Sequence, residues 1–229
     1  MTDQPPRKLI IAIDGPAGAG KSTIAARLAR KLGYINLESG AMYRALGLKA
    51  IRNDISVDDA TALLALARKS SIRLEPTPTG NRVLLDNIDV SQRIREPDVT
   101  EAASRVSVHP PVREWMVARQ RELGDGGGVV MEGRDIGTKV FPDADLKIFL
   151  DAEPKVRQSR RVLQHGAEAD QEQAKKLVAE LHDRDFRDRT RAASPLIPAQ
   201  DAVVIDSSQL SIDEVVARAE ELIKAKLHR

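Results

Sequence analysis

The chain has 229 residues, 41% hydrophobic and 31% charged, which is length and apolar content enough for one α/β core with a modest insertion. A net charge of only +2 argues against a protein that coats nucleic acid, so any basic character that matters is local. The absence of cysteine excludes a disulfide framework, a thiol nucleophile and a thiolate metal site; Met1–Arg7 leads into no signal-like apolar core and no apolar run is long enough for a bilayer, so the cytoplasm is the expected compartment.

Leu9–Ile13 is an apolar run suited to a buried strand. It is followed by Gly15, Pro16, Ala17, Gly18, Ala19, Gly20, Lys21, Ser22 and Thr23, which fit the pattern G-x-x-x-x-G-K-[ST] in full, and Ile24–Leu32 continues at helical spacing. Strand, glycine-rich turn and helix together predict a nucleotide site. The glycines let backbone N–H groups close on the phosphates, and the helix presents its positive end to the same anion. Lys21 is expected to neutralise the β- and γ-phosphates, and Ser22 to ligate the Mg²⁺ that accompanies ATP.

Tyr34–Leu37 reads as a second strand, and Gly40–Arg52 as a helix behind Ser39, which is expected to cap it. Asp58–Ser70 is a further helix. Ile72–Val90, broken by Pro76, Pro78, Gly80 and Asn81, reads as a small antiparallel insert. Val99–Ser107 and Pro111–Leu123 are predicted helices; Trp115 in the second is assigned to packing, and His109 before it to a loop. Val129–Met131, Leu146–Leu150 and Ala202–Ile205 complete the core strands. Pro154–Gly166 and Ala174–Arg191 are helical and rich in arginine, a Pro195–Pro198 loop follows, and Ile212–Leu227 is a final amphipathic helix. The alternation predicts an α/β fold: a parallel sheet with helices on both faces and ligands at the carboxyl ends of the strands. The expected division is a core of residues 8–65, 124–153 and 200–229, an insertion at 66–123, and an arginine-rich helical region at 154–199 that sits where a lid could be.

Two stretches carry the remaining chemistry. Arg184, Asp188 and Arg191 fall at i, i+4 and i+7, with Arg187 beside them. In an arbitrary protein such a stripe is a solvated face where Asp183, Asp185 and Asp188 pair with the arginines. Next to a phosphate loop it is a cluster that stabilises charge on a transferring phosphoryl group, and it is expected to be exposed. Arg157, Arg160 and Arg161 share a face of the preceding helix and would serve the same polyanion, Arg157 at the ATP. Glu132-Gly-Arg134-Asp135 follows a core strand, where Glu132 would hold Mg²⁺ through water, Arg134 grip a phosphate and Asp135 accept hydrogen bonds from a substrate; the alternative is a charged turn with its own ion pair. Ser39 and Arg44, after the second strand, are placed to meet an acceptor phosphate.

With these residues in view the chain resembles the bacterial cytidylate kinases, members of the nucleoside monophosphate kinase group of phosphate-loop enzymes. The likeness rests on the phosphate loop, on Glu38–Ala45, on Asp89-Val with Ile94-Arg95, on Ala103-Ser104 with Val112-Arg113, on Gly133–Asp143 and on Arg184–Arg191. It implies a core domain, a monophosphate-binding insertion enlarged by a small sheet, a short lid, and transfer of the ATP γ-phosphoryl to CMP or dCMP. Ser39, Arg44 and Arg134 would bind the monophosphate, Ser104, Arg113 and Asp135 the cytosine, and Arg184, Asp188 and Arg191 the sugar and phosphate. Lys21, Arg134, Arg184 and Arg191 would then act on the transferring group. Glu38 and Glu132 stand where many relatives have Asp, which keeps the charge and lengthens the arm. A monomer working on small nucleotides, with no nucleic acid and no membrane, is the expectation. Two rival readings are a shikimate-type kinase, weakened because Gly126–Gly128 precedes a core strand, and a GTP-dependent switch, weakened because no N-K-x-D stretch occurs.

Overall fold

The computed structural model describes residues 8–77, 80–164 and 171–227. The polar Met1–Arg7, Pro78 and the end of the helix expected to reach Gly166 lie outside the described residues. The elements in order are β1 (Ile10–Asp14), α1 (Lys21–Leu32), β2 (Ile35–Glu38), α2 (Ser39–Arg52), α3 (Ala60–Arg68), β3 (Ile72–Thr77), β4 (Gly80–Leu85), β5 (Ile88–Asp89), α4 (Pro97–Val106), α5 (Pro110–Gly124), β6 (Val129–Gly133), β7 (Leu146–Asp151), α6 (Pro154–Gln164), α7 (Gln171–Thr190), β8 (Val203–Asp206) and α8 (Ile212–Leu227).

Five strands form a parallel sheet in the order β2-β6-β1-β7-β8. β1 is central, and its residues alternate between two cores as a strand's period of two requires. Ile11 and Ile13 join the cluster built with Ile24 and Leu28 of α1 and Val216 and Ile223 of α8, whereas Ala12 faces the opposite cluster. Burial on both faces explains why these strands read as continuous apolar runs with no alternation. The second cluster holds Leu37 and Met131 of the sheet together with Met42 and Leu46 of α2, Val83 and Leu85 of β4, Val99 of α4 and Met116 of α5. The antiparallel β3-β4-β5 sheet therefore shares its apolar packing with the main sheet.

Local boundaries follow capping chemistry. Asp59 caps α3, its Oδ1 accepting from Thr61 N at 3.0 Å and Ala62 N at 2.9 Å. α4 starts at Pro97, two residues before the expected Val99, because proline is pre-organised for a first turn. Ser39 is a correction: it is the first residue of α2, Glu38 holds the cap position, and the Ser39 hydroxyl donates to Glu132 O at 2.8 Å instead of to the helix. The π-helical turn at Ile136–Val140 is a feature the hydrophobic pattern did not reveal.

Candidate active site

The carboxyl ends of β1, β2 and β6 bring the site together. β1 ends at Asp14, and the loop that leaves it carries left-handed or otherwise positive φ at Gly15 (148°), Gly18 (77°) and Gly20 (97°), angles that glycine adopts without steric cost. A Cβ at Gly15 would lie 2.0 Å from the Leu150 carbonyl oxygen, and one at Gly18 would lie 3.0 Å from the Arg157 carbonyl oxygen. α1 then begins at Lys21, where its free N–H groups and dipole favour an anion. Lys21 Nζ donates to Pro16 O at 2.7 Å. Burial, followed by the charge of Arg134, pulls its amine down to about 7, so its charged form gains from any phosphate brought beside it. Ser22 and Thr23 are exposed at the helix start, and Ser22 Oγ lies 3.1 Å from Glu132 Oε1.

Arg157, expected at the ATP, braces the loop from outside: Nη1 donates to Ala17 O at 3.1 Å, Nε to Ala152 O at 3.0 Å, and Nη1 also pairs with Asp185. Arg160 works similarly, donating to Ser207 O at 2.7 Å and Ser207 Oγ at 3.0 Å just beyond β8 and to Ala19 O of the loop at 3.5 Å. These two arginines tie α6 to the loop backbone.

The other side of the site is built from β2, β6 and α7. In the register of β2 and β6, Glu38 lies directly beside Glu132. Burial and that neighbouring carboxylate hold Glu38 above its ordinary value, with Arg44 opposing at 3.5 Å. Gly133 is required beside them, since a Cβ there would lie 2.5 Å from Ser39 Oγ. Arg134 Nε donates to Asp188 Oδ2 at 2.8 Å. The same Asp188 has Arg191 Nη1 at 3.5 Å and Arg184 Nε at 4.0 Å. Although burial works to raise it, these three arginines keep Asp188 below the ordinary carboxylate value. Burial, then Arg134, brings Arg184 down to about 10.

Asp135 pairs with Arg113, and Arg191 Nη2 stands 4.0 Å from its other oxygen. Arg113 also donates to Ser107 O at 2.9 Å and lies 5.6 Å from the centroid of the Tyr43 ring. Ser104 Oγ accepts from Arg187 Nε at 3.1 Å, a contact between α4 and α7.

The structure thus brings Lys21, Ser39, Arg44, Arg134, Arg184, Asp188 and Arg191 to one end of the sheet, with Ser104, Arg113 and Asp135 adjoining. It corrects one expectation: the arginine stripe is not an exposed cluster. The side chains of Asp188 and Arg191 are 6% and 3% exposed, because α7 folds them against Arg134 and Asp135. Among the described residues, buried Arg44 Nε, Arg113 Nε, Arg184 Nε and Arg191 Nη2 have no hydrogen-bond acceptor. Guanidinium nitrogens left without an acceptor beside these ion pairs suit a polyanionic ligand.

Two residues were missed. Tyr43 is buried, its phenol pushed up to about 12 by burial, with Oη making no hydrogen bond; only its place in the Glu38–Ala45 stretch pointed to it. Asp14 is buried at the end of β1, and a lone acid before a glycine turn gave no sign of that. No group of three or more His, Cys, Asp or Glu able to hold an ion occurs among the described residues. The Ser22 hydroxyl beside the Glu132 carboxylate nevertheless fits Mg²⁺, a hard ion that takes few protein oxygens and completes its shell with waters and phosphates.

Residues 11–225 match the family model described as cytidylate kinase. The chain belongs to the cytidylate kinase family. It is 48% identical over 96% of its length to the cytidylate kinase of Geobacillus kaustophilus, of which 99% is covered. It is 50% identical over 90% of its length to that of Pelotomaculum thermopropionicum, of which 92% is covered. With Enterococcus faecalis the figures are 47%, 96% and 97%. Membership of the cytidylate kinases removes the shikimate-type and GTP-switch readings. Among the described residues no helix is long and apolar enough to cross a membrane.

Proposed function

We infer that the chain catalyses ATP-dependent phosphorylation of CMP and dCMP to CDP and dCDP in pyrimidine nucleotide metabolism. The observation that carries this is the match of residues 11–225 to the cytidylate kinases; the converging arginines and the phosphate loop supply its chemistry. The loop Gly15–Thr23 and Lys21 hold the ATP phosphates, with Arg157 bracing the loop from behind through Ala17. Ser22, with Glu132 beside it, would hold Mg²⁺, which would offset the charge that develops on the phosphates. Ser39, Arg44 and Arg134 take the acceptor phosphate, Arg184 and Arg191 gather over the transferring group, and Asp188 orients both through its ion pairs.

Transfer between phosphates needs little covalent help, so alignment and charge neutralisation in a water-poor site are the catalytic factors. Asp135, with Arg113 and Ser104, reads the base: a carboxylate accepts from the cytosine N4 amino group and faces lone pairs at the O4 of uracil. The protein works as a cytoplasmic monomer on these two nucleotides. ADP production measured across CMP, dCMP, UMP, AMP and shikimate tests the reading. CMP and dCMP should give the highest kcat/KM, and faster turnover of AMP or shikimate would overturn it.

A further inference from the structure

Asp14 ends the central strand, after four apolar residues, with only 5% of its surface exposed. A carboxylate in that position is costly unless its oxygens are well matched. Both are matched to backbone: Oδ1 accepts from Ile136 N at 2.8 Å and Oδ2 from Gly137 N at 2.7 Å. These are the first two amides of the π-helical turn, and Asp135 directly precedes them. The Asp135 carbonyl in turn accepts from Lys139 N at 2.8 Å and Val140 N at 3.2 Å. A Cβ at Gly137 would lie 3.1 Å from Lys147 Cδ and 3.4 Å from Asp14 Oδ2, so the segment is held closely between β1 and β7.

We propose that Asp14 is a positioning residue for base recognition: its two oxygens fix the amides that follow Asp135, so the base-reading carboxylate is set relative to the strand that launches the phosphate loop. The proposal rests on the reading of Asp135 given above. Its reasoning is geometric. Two parallel N–H donors need two acceptors, and among side chains of this length only a carboxylate supplies both. The amide of asparagine satisfies one and turns its own NH₂ toward the other, which rotates or detaches the turn. With both oxygens taken up by the amides of Ile136 and Gly137, Asp14 acts through Asp135.

The test compares wild type, Asp14→Asn, Asp135→Asn and the double variant, by kcat/KM for CMP divided by that for UMP and by KM for ATP. Asp135→Asn should lower the ratio at least about tenfold and Asp14→Asn at least about fivefold, the second raising KM for CMP and leaving KM for ATP within about twofold. The double variant should discriminate no worse than Asp135→Asn alone, since the two act through one contact. Asp14→Ser gives the same readings should the asparagine variant not fold. A lowered ratio in Asp135→Asn with an unchanged one in Asp14→Asn would overturn the role of Asp14 alone. An unchanged ratio in Asp135→Asn would remove the base-reading assignment and the positioning role with it. Equal rises in both KM values for Asp14→Asn would mean general loosening and would also overturn the proposal.

Discussion

Arg134 on the segment after β6 and Asp188 on α7 meet through Nε and Oδ2 at 2.8 Å, and Arg184 and Arg191 converge on the same carboxylate. One acid therefore holds three guanidinium groups together. Replacing Asp188 with Ala should destabilise the ligand-free protein by about 3 kcal/mol, because it strands buried positive charge. Adding CMP should recover part of the lost melting temperature, since a phosphate among the arginines restores negative charge. A melting temperature equal to wild type, with or without CMP, would show that the cluster carries no such load.

Lys21→Ala should fold and still bind CMP, because no acceptor-side contact described above uses Nζ, whose hydrogen bond goes to Pro16 O. Its kcat should fall roughly 10²- to 10³-fold, the size expected for one charged group at a transferring phosphoryl. Isothermal titration with CMP and a steady-state assay separate the two effects. Ordinary turnover by a folded variant would contradict the nucleotide assignment.

Glu132→Gln should act on the metal requirement. Its Oε1 sits 3.1 Å from the hydroxyl of Ser22, and losing that charge should raise the Mg²⁺ concentration for half-maximal rate about tenfold, with CMP affinity little changed. An unchanged Mg²⁺ dependence would assign Glu132 to packing beside Glu38 instead.

Stability should depend on pH through Asp14. Burial raises its carboxyl from the ordinary 3.8 to about 6; its bonds to Gly137 and Ile136 and the charge of Lys21 oppose this, and Asp135 reinforces it. The folded state therefore holds this proton more tightly than the unfolded chain. Its contribution is full below about pH 4 and is lost as pH rises through about 6, a change of about 3 kcal/mol. Wild type minus Asp14→Asn, followed by urea unfolding from pH 4 to 7, cancels the other carboxylates and should decline by that order. A flat difference would place the Asp14 carboxyl at an ordinary value.

The strands, the phosphate loop and most helices were legible because each is a local pattern: the run Leu9–Ile13, the glycine spacing after it, the 3.6-residue period of α8. What could not be read was pairing across the chain. Nothing local to Arg113 announces that Asp135, 22 residues later, is its partner. The stripe on α7 was assigned to an exposed cluster because charge density usually means solvent, whereas here Arg134 and Asp135 arrive from β6 to cover it. Ser39 has the residue type of a helix cap, and only the approach of β6 to β2 gives its hydroxyl Glu132 O as an acceptor. Asp14 stayed hidden for the same reason, since its partners begin at residue 136.

The first and third glycines of the phosphate loop differ in what they tolerate. At Gly20 an added Cβ would meet no protein atom nearer than a Leu150 methyl at 4.0 Å, so the fold itself restricts it only through the 97° φ, and asparagine is the substitute with the least to lose. At Gly15 the Cβ would collide with the Leu150 carbonyl oxygen at 2.0 Å. A scaffold redesigned to give up nucleotides altogether would be free to abandon Lys21 and still need glycine at 15. Counting that residue as a mark of ligand chemistry credits the phosphate with a demand made by the neighbouring strand.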